Sequence, residues 1–181
     1  MTTSRVVNRL IKQFIAVAGR VDTSVEVIPK SPEALKNALL KATGGSGSVA
    51  LAEPDDLDPA LFDLYKNFVN IPAALTDVQL SKIAYGVSDA FAGIARTGSV
   101  CVSMTEKMGG AYSLFCRVHI AVLEAKNMLA RPRDVFEKEP FRSIAMRRDF
   151  VFVSGSSATA DMGPLVRGVH GPAKLHVIIL E

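Results

Sequence analysis

The sequence predicts an α/β protein in which a mixed sheet is covered by helices. Segments of helical period alternate with short β-branched runs along the chain, and 49% of the 181 residues are hydrophobic. Interleaved helices and strands favour a sheet with helices on its faces, and this apolar content is sufficient for a well-filled core. Because the length lies within the usual range of one domain, we expect a single domain over residues 1–181.

The first element is predicted as an amphipathic helix over residues 4–18, within the N-terminal segment 1–20. Apolar residues at positions 6, 7, 10, 11, 14, 15 and 18 follow the helical period. Asp22 is the first acidic residue, and it follows four basic ones: Arg5, Arg9, Lys12 and Arg20. We expect this helix to lie on the core of a cytoplasmic protein. A mitochondrial location is the alternative, because presequences share this pattern.

Strands and helices then alternate to about Phe68. Residues 24–28 predict a strand, and Ser31-Pro32 predicts a helix start that leads to about Ala42. The glycine-rich run 44–48 separates that helix from a strand predicted over 48–52. A phosphate-binding loop has the opposite order, strand before helix, so we interpret the run as a turn. Asp58-Pro59 then opens a helix predicted through Phe68, before a loop that contains Pro72.

The second half of the chain is predicted to be richer in strands. Residues 90–95 and 99–104 read as a hairpin whose connection is Arg96-Thr97-Gly98. A strand is predicted over 117–123, a helical turn over 133–138, and strands over 149–153 and 174–180. His119 and His176 lie in two of these strands, where we expect histidines that are hydrogen-bonded within the structure.

The loop 154–172 is the strongest functional candidate, because it is poor in side chains that could pack. Gly155, Ser156 and Ser157 leave backbone amides open to a ligand, and Thr159 could cap a short helix that begins at Ala160 with Asp161 in its first turn. The loop follows the end of a strand, where open α/β sheets place ligands. We predict an anion-binding loop; the alternative is a tight structural turn.

His170 and Gly171 end this loop immediately before Pro172. Proline restricts the backbone of the residue before it, so the imidazole would be held on a rigid turn. There it could act as an acid, a base or an anion ligand. A structural hydrogen bond to the backbone is the other interpretation.

Composition excludes several classes of function. A net charge of +3, with no Trp and three Tyr, offers little for nucleic acid. No apolar run approaches the roughly 18 residues of a membrane span. Cys101 and Cys116 lie in apolar runs and are expected to be buried thiols. Without metal-ligand spacing, we expect neither a metal nor an iron–sulfur cluster bound by this chain alone.

Four motifs in the C-terminal half, residues 80–181, together resemble the LUD domain of lactate utilization protein C. They are Ala95-Arg96-Thr97-Gly98-Ser99, Arg117-Val118-His119-Ile120, the run 154–161, and Gly168-Val169-His170-Gly171-Pro172 closing on 175–180. The resemblance implies a three-layer α/β fold similar to the sugar-phosphate isomerase and CoA-transferase superfamily. It also implies a role in lactate oxidation beside iron–sulfur oxidoreductase subunits, which would carry the clusters.

The chain departs from the family pattern at two positions. Arg96 stands where the family has Glu in A-E-T-G-T, and Ala158 stands where it has Arg in G-P-S-R-T-A-D-I. If the family's Glu and Arg pair across the site, both partners are lost here and a cation is gained on the opposite strand. Arg96 cannot form the glutamyl thioester of CoA transferases, which needs a carboxylate.

Three functions therefore stay open. In the first, a non-redox protein binds a small anionic metabolite or an oxidoreductase partner between the two turns. The residues predicted to bind are Arg96, Thr97, Gly98, Ser99, Gly155, Ser156, Ser157, Thr159, Asp161, His170 and Gly171.

In the second, the chain is an enzyme similar to phosphosugar isomerases or folate cyclo-ligases. Asp161 and His170 are then the catalytic candidates. In the third, the chain is an interaction module whose basic residues Arg131, Arg133, Arg142, Arg147 and Arg148 dock an acidic partner. The sequence leaves open whether it forms a homo-oligomer.

Overall fold

The computed structural model describes residues 3–45, 48–68, 79, 82–138, 149–161 and 163–181. Its α-helices are α1 (Thr3–Arg20), α2 (Pro32–Thr43), α3 (Asp63–Lys66) and α4 (Gly109–Phe115), and 3₁₀ turns span Pro59–Phe62, Ala125–Asn127 and Pro132–Glu137. The strands are β1 (Thr23–Ile28), β2 (Val49–Leu51), β3 (Tyr85–Asp89), β4 (Ala92–Ile94), β5 (Ser99–Ser103), β6 (Val118–Glu124), β7 (Met128–Leu129), β8 (Phe150–Val153), β9 (Ala158–Thr159), β10 (Val166–Arg167) and β11 (Lys174–Leu180).

A five-stranded sheet forms the centre of the molecule, with the order β1-β11-β6-β3-β2. Every pair in it is parallel. The mixed pairing lies in a second, four-stranded sheet of order β7-β4-β5-β8, in which β4 pairs parallel with β7 and antiparallel with β5. Strands β9 and β10 form a two-stranded ribbon within the loop 154–173.

The central sheet is covered on both faces, because side chains alternate along each buried strand. On β6, Ile120 and Val122 pack into a core with α2 and with the 59–66 segment. Ala121 and Leu123 point to the opposite face, where they pack with α1 and the four-stranded sheet. The three-layer α/β class expected from the sequence is therefore confirmed.

The helices begin and end where local chemistry predicts. The Ser31 hydroxyl accepts a hydrogen bond from the Ala34 amide at 3.2 Å, and Pro32 occupies the first turn. Gly44 closes the helix in the left-handed conformation, at φ 60°. In α1, the apolar stripe buries Ile11, Phe14 and Ala18 against the core.

The predicted hairpin is present as β4 and β5, and the predicted turn near 133–138 is present as a 3₁₀ helix. The short strands β7, β9 and β10 escaped prediction, as did two longer elements, β3 and α4. Strand β3 reads Tyr-Gly-Val-Ser-Asp, with little β-branching, and α4 opens with two glycines, which are poor helix formers. Pro72, Ser46 and Gly47 lie outside the described residues.

One expectation about the loop 154–172 was wrong. It follows β8, but β8 pairs antiparallel with β5 in the second sheet and not with the parallel strands. Because the loop ends at Lys174, the first residue of β11, it lies at the amino edge of the parallel sheet. The rule that places ligands at carboxyl ends of parallel strands therefore does not apply to it.

Candidate functional site

The hairpin tip and the beginning of the loop are neighbours, as strand pairing requires. Val100 of β5 lies opposite Val153 of β8. One residue beyond each, the hydroxyls of Ser99 and Ser154 are 2.6 Å apart, and Ser99 also donates to the Thr97 hydroxyl at 2.6 Å. The structure therefore joins Thr97 and Ser99 to the first residue of the loop.

The two glycines at this junction face the protein interior. A Cβ on Gly98 would lie 2.7 Å from the amide nitrogen of Ala18, and a Cβ on Gly155 would overlap the Val21 carbonyl oxygen. Both have positive φ, of 65° and 71°. Their missing side chains leave room for the end of α1, so these positions serve the close approach of two backbone segments.

The candidate residues Ser156, Ser157 and Gly171 belong to the frame of the loop. The Ser157 amide donates to the Pro172 carbonyl at 2.8 Å, and the Gly168 amide donates to the Ser157 carbonyl at 2.9 Å. Arg167 donates to the Ser156 hydroxyl at 3.3 Å and forms an ion pair with Asp22. These bonds fold the loop back on itself and fix where its far end lies.

That far end lines an open cavity of about 690 Å³ at the amino ends of β6 and β11. We call it the arginine–histidine cavity, after the polar side chains Arg117, Arg167 and His170. Its other described lining residues are Leu114, Phe115, Cys116, Gly168, Val169, Gly171 and Ala173. None of the described lining residues is acidic. Arg167 pairs with Asp22 outside the lining, so Arg117 is the arginine of this cavity for which the described residues supply no carboxylate.

The predicted helix at Ala160 is absent, which corrects the role given to Thr159. Residues Ala158–Thr159 are a strand, paired with Val166–Arg167. The Thr159 hydroxyl donates to the Asp161 carboxylate at 2.8 Å and so closes a local turn in place of a helix cap. Among the described contacts, no hydrogen bond or ion pair joins Asp161 to His170.

Arg96 lies in a separate concavity at the hairpin tip, of about 340 Å³. Its amide donates to the Ala130 carbonyl at 3.2 Å, which carries Arg96 toward Arg131 and Arg133 in the same concavity. Oδ1 of Asp134 lies 3.4 Å from Nε of Arg131 and 3.9 Å from Nε of Arg133. The described lining of this concavity contains no residue of 155–161, so the structure groups Arg96 with other arginines. Arg142, Arg147 and Arg148 lie outside the described residues.

The carboxyl edge of the parallel sheet holds polar residues that the sequence analysis missed. Asp89, at the end of β3, accepts hydrogen bonds on Oδ2 from the amides of Asp55, Asp56 and Leu57, at 2.9, 2.6 and 3.0 Å. Burial raises the pKa of its carboxyl group, against the effect of these amides. The signal was a buried strand that ends in Asp, but the strand itself was not predicted.

Glu124 ends β6 at the same edge and forms ion pairs with Lys30 and Lys126. Burial alone would raise its pKa, but the two ammonium groups hold the pKa below its usual value. Both carboxyl-edge acids therefore have partners within the protein, whereas no described ion pair or side-chain hydrogen bond involves Arg117 or His170 of the arginine–histidine cavity.

The two cysteines are buried free thiols, as predicted. Burial raises the pKa of each to about 12, so neither is a thiolate at neutral pH. In the part of the chain that the structure describes, no three His, Cys, Asp or Glu side chains converge as a metal site would require. None of the described helices combines the length and apolarity needed to cross a bilayer.

Comparison with known proteins gives the same fold and one family. A sequence profile of the family described as LUD domain matches residues 11–180. An uncharacterized protein of Neisseria meningitidis serogroup B is 29% identical over 190 aligned positions, which cover 94% of this chain and 76% of that protein. The crystal structure of a DUF162 family protein from Deinococcus radiodurans superposes with a TM-score of 0.71 at 21% identity, over 100% of this chain and 99% of the other.

Proposed function

Because this chain belongs to the LUD domain family, which is associated with lactate utilization, we propose that it is a non-redox component of lactate oxidation that binds an anionic small molecule in the arginine–histidine cavity. The observation that carries this proposal is the pairing of a cavity of about 690 Å³ with Arg117, Arg167 and His170 on its wall. A cavity of that size accommodates a metabolite, and arginines favour carboxylate and phosphate groups.

The contacts of Arg117, Arg167 and His170 indicate which of them hold the loop and which can bind a ligand. Arg167 already pairs with Asp22 and Ser156, so we assign it mainly to holding the loop. Arg117 and His170 are both exposed and line the cavity from two different segments. They are therefore the residues we expect to contact the anion.

Thermal unfolding with lactate, pyruvate, a sugar phosphate and coenzyme A tests this proposal. A ligand present at tenfold its Kd stabilises the folded state by about 1.4 kcal/mol, which raises Tm by about 4 °C in a chain of this size. Arg117→Gln and His170→Gln should each abolish most of the shift. Arg133→Gln, which removes an equally exposed arginine from the other concavity, is the matched control and should keep it.

If no anion raises Tm in the wild-type protein, the small-molecule proposal fails. It also fails if Arg133→Gln abolishes the shift as completely as Arg117→Gln does, because the effect would then reflect overall charge. Native mass spectrometry of freshly purified protein adds an independent test, since it detects a retained ligand and reports whether the chain is a homo-oligomer.

A second candidate is docking of an iron–sulfur oxidoreductase subunit on the same surface. Three exposed apolar side chains line the cavity, namely Leu114, Phe115 and Val169, and two more, Leu165 and Val166, directly precede Arg167 in the loop. The exposed fractions of the five range from 40% to 58%. Apolar side chains beside arginines are a common composition for protein interfaces. Leu165→Ser with Val169→Ser should then weaken co-purification of the partner, while Ile15→Ser and Leu64→Ser, equally apolar and exposed elsewhere, should not.

The enzymatic alternative, a phosphosugar isomerase or folate cyclo-ligase-like activity, rests on Asp161 and His170. The described contacts do not favour it, because Asp161 bonds to Thr159 while His170 lines the cavity. The enzymatic alternative would be supported if the wild-type protein turns over a phosphorylated or carboxylated metabolite and the Asp161→Asn variant does not.

A further inference from the structure

A second cleft, of about 450 Å³, lies below the C-terminal end of α2. Its floor is formed by the amino-terminal residues of β1, β11, β6 and β3. The polar side chains that line it are Ser24, Glu26, Lys41, Tyr85, Lys174 and His176. None of these residues takes part in the arginine–histidine cavity.

Ser24 and His176 are directly opposite each other in the parallel pair of β1 and β11. The Ser24 hydroxyl lies 2.7 Å from Nδ1 of His176, and the Ser24 side chain is exposed to the cleft. This distance is within the range of a serine nucleophile hydrogen-bonded to a histidine base. The parallel pairing of edge strand β1 with β11 fixes both backbones, so the pair does not depend on a loop.

Glu26 lies on the other side of the imidazole ring. Its Oε2 is 4.0 Å from Nε2 of His176, while its Oε1 forms an ion pair with Nζ of Lys41 at 3.0 Å. Nε2 is buried and has no hydrogen-bond partner within the described part of the chain. If Nδ1 accepts the serine proton, Nε2 must carry the ring hydrogen, and Glu26 is placed to stabilise the imidazolium that then forms.

The protonation state of His176 agrees with a basic role. Burial lowers its pKa, with Glu26 acting in the opposite direction and Lys41 adding to the lowering. The imidazole is therefore neutral at physiological pH and can accept a proton.

We propose that Ser24 is a nucleophile for acyl transfer, with His176 as its base and Glu26 as a positioning residue. His176 Nδ1 takes the proton as Ser24 Oγ bonds to the acyl carbon of a small carboxylic ester. The ester C–O bond breaks, and the leaving alcohol oxygen takes that proton from His176. Water then attacks the acyl carbon while His176 takes a proton from it. The acyl C–Oγ bond breaks and Ser24 Oγ takes that proton from His176, so the net reaction consumes ester and water and yields acid and alcohol.

The charges around the cleft indicate the class of ester. Lys41 and Glu26 neutralise each other in their ion pair, whereas Lys174 lines the cleft without a described carboxylate partner. The Lys174 ammonium group would favour negative charge on the tetrahedral intermediate or on the substrate itself. We therefore assign the site to small esters that carry a carboxylate, and expect mono-4-nitrophenyl succinate to react faster than 4-nitrophenyl butyrate.

The test is labelling of the intact chain with a fluorophosphonate–biotin probe, followed by peptide mass spectrometry. The proposal predicts one adduct, on Ser24, and none in Ser24→Ala. His176→Gln should slow labelling at least about 100-fold, the usual contribution of a general base. Ser4→Ala, which removes an exposed serine of α1, should label at the wild-type rate.

Glu26 requires a readout that loss of packing would not change. In Glu26→Gln, the pH of half-maximal labelling should fall, because the imidazolium loses its carboxylate while Lys41, Lys174 and Tyr85 remain nearby. An unchanged midpoint overturns the role of Glu26.

The adduct position in wild-type protein decides the main proposal without relying on any variant. Absence of labelling at Ser24 overturns it and leaves a structural cross-strand hydrogen bond. Acylation by the nitrophenyl esters at Lys41 or Lys174 in place of Ser24 also overturns it. A His176→Gln protein that is folded by circular dichroism and labels at the wild-type rate has the same consequence.

Discussion

At the carboxyl edge of the parallel sheet, Asp89 and Glu124 are buried acids, whereas at the amino edge Arg117 and His170 are exposed polar side chains. Asp89 accepts hydrogen bonds from three backbone amides, and Glu124 forms ion pairs with two lysines. Arg117 and His170 line a cavity whose described lining residues include no carboxylate. A polar group with protein partners stabilises the fold, while one without them is available to a ligand.

This difference runs against the usual position of ligand sites in open α/β sheets, which is the carboxyl edge. Here the loop that resembles the family motifs crosses from the second sheet to the amino end of β11. The comparison therefore assigns stability to one edge and binding to the other, and each assignment can be tested by substitution.

The largest expected effect is at the anchor of the loop. Gly155→Ala should lower the free energy of unfolding by about 4 kcal/mol, because its Cβ would overlap the Val21 carbonyl and its φ of 71° is strained for alanine. Gly44→Ala shares a positive φ of 60° but has no atom within 4 Å of the added Cβ, and should cost only about 1 kcal/mol. Equal costs in urea denaturation would contradict the close approach of the loop to α1.

At the carboxyl edge, Asp89→Ala should cost about 3 kcal/mol, because three part-buried amides lose their acceptor. Asp89→Asn keeps one acceptor oxygen and should cost roughly half as much. Urea denaturation at pH 7 measures both. A loss below about 0.5 kcal/mol in Asp89→Ala would mean that solvent replaces the carboxylate, and that this edge does not hold the fold.

A third prediction concerns His119, which lies in the central sheet between the two edges. Its Nε2 is 2.9 Å from the Ser88 hydroxyl, its Nδ1 has no partner among the described residues, and burial lowers its pKa from 6.5 to about 4. The unfolded chain therefore binds this proton first as pH falls. The stability that His119 contributes is complete above its unfolded pKa and decreases below it.

Between pH 8 and pH 5 this group alone should reduce the free energy of unfolding by about 2 kcal/mol. Comparison of wild-type protein with His119→Gln at both pH values isolates the effect, since His176 and the carboxylates titrate in both. A His119→Gln protein with the wild-type pH dependence would show that a water or a neighbour satisfies the imidazolium.

The smallest expected change in stability is at the amino edge. Arg117→Gln should alter the free energy of unfolding by less than about 0.5 kcal/mol, as expected for an exposed side chain outside any packed cluster. The same variant should lose the anion-induced rise in Tm. If Arg117→Gln instead destabilises the protein by more than about 1 kcal/mol in urea denaturation, the two edges do not differ as proposed.

Much of the fold could be predicted because local signals agreed with tertiary packing. Ser31-Pro32 and Gly44 define both ends of α2, and the turn at Gly98 defines the β4–β5 hairpin. Strand β3 could not be found in this way, because it contains Gly86, which is a poor strand former. Glycine is required there because a Cβ would approach the Cys116 and Tyr112 side chains to within 3 Å. That requirement comes from tertiary packing and leaves no local pattern.

The candidate site was predicted in part. The sequence identified the loop, His170 and Gly171, and these do line a cavity. It could not show that Arg96 would group with Arg131 and Arg133, or that Gly155 would face α1, because both depend on how distant strands pair. The sequence pointed to Arg117 only as part of a motif. Its place beside His170 follows from the hydrogen bond that the Ala173 amide donates to the Arg117 carbonyl at 2.8 Å.

The position of β11 between β1 and β6 has a consequence for how the chain folds during synthesis. The first strand of the sheet has its described neighbour at residues 175–180, more than 140 positions later. The ribosome must therefore synthesise residues 175–180 before this pairing of β1 can form, so β1 and β11 stay unpaired while the strands between them are made. With pairings of such long sequence separation, folding should be slow for a protein of this length.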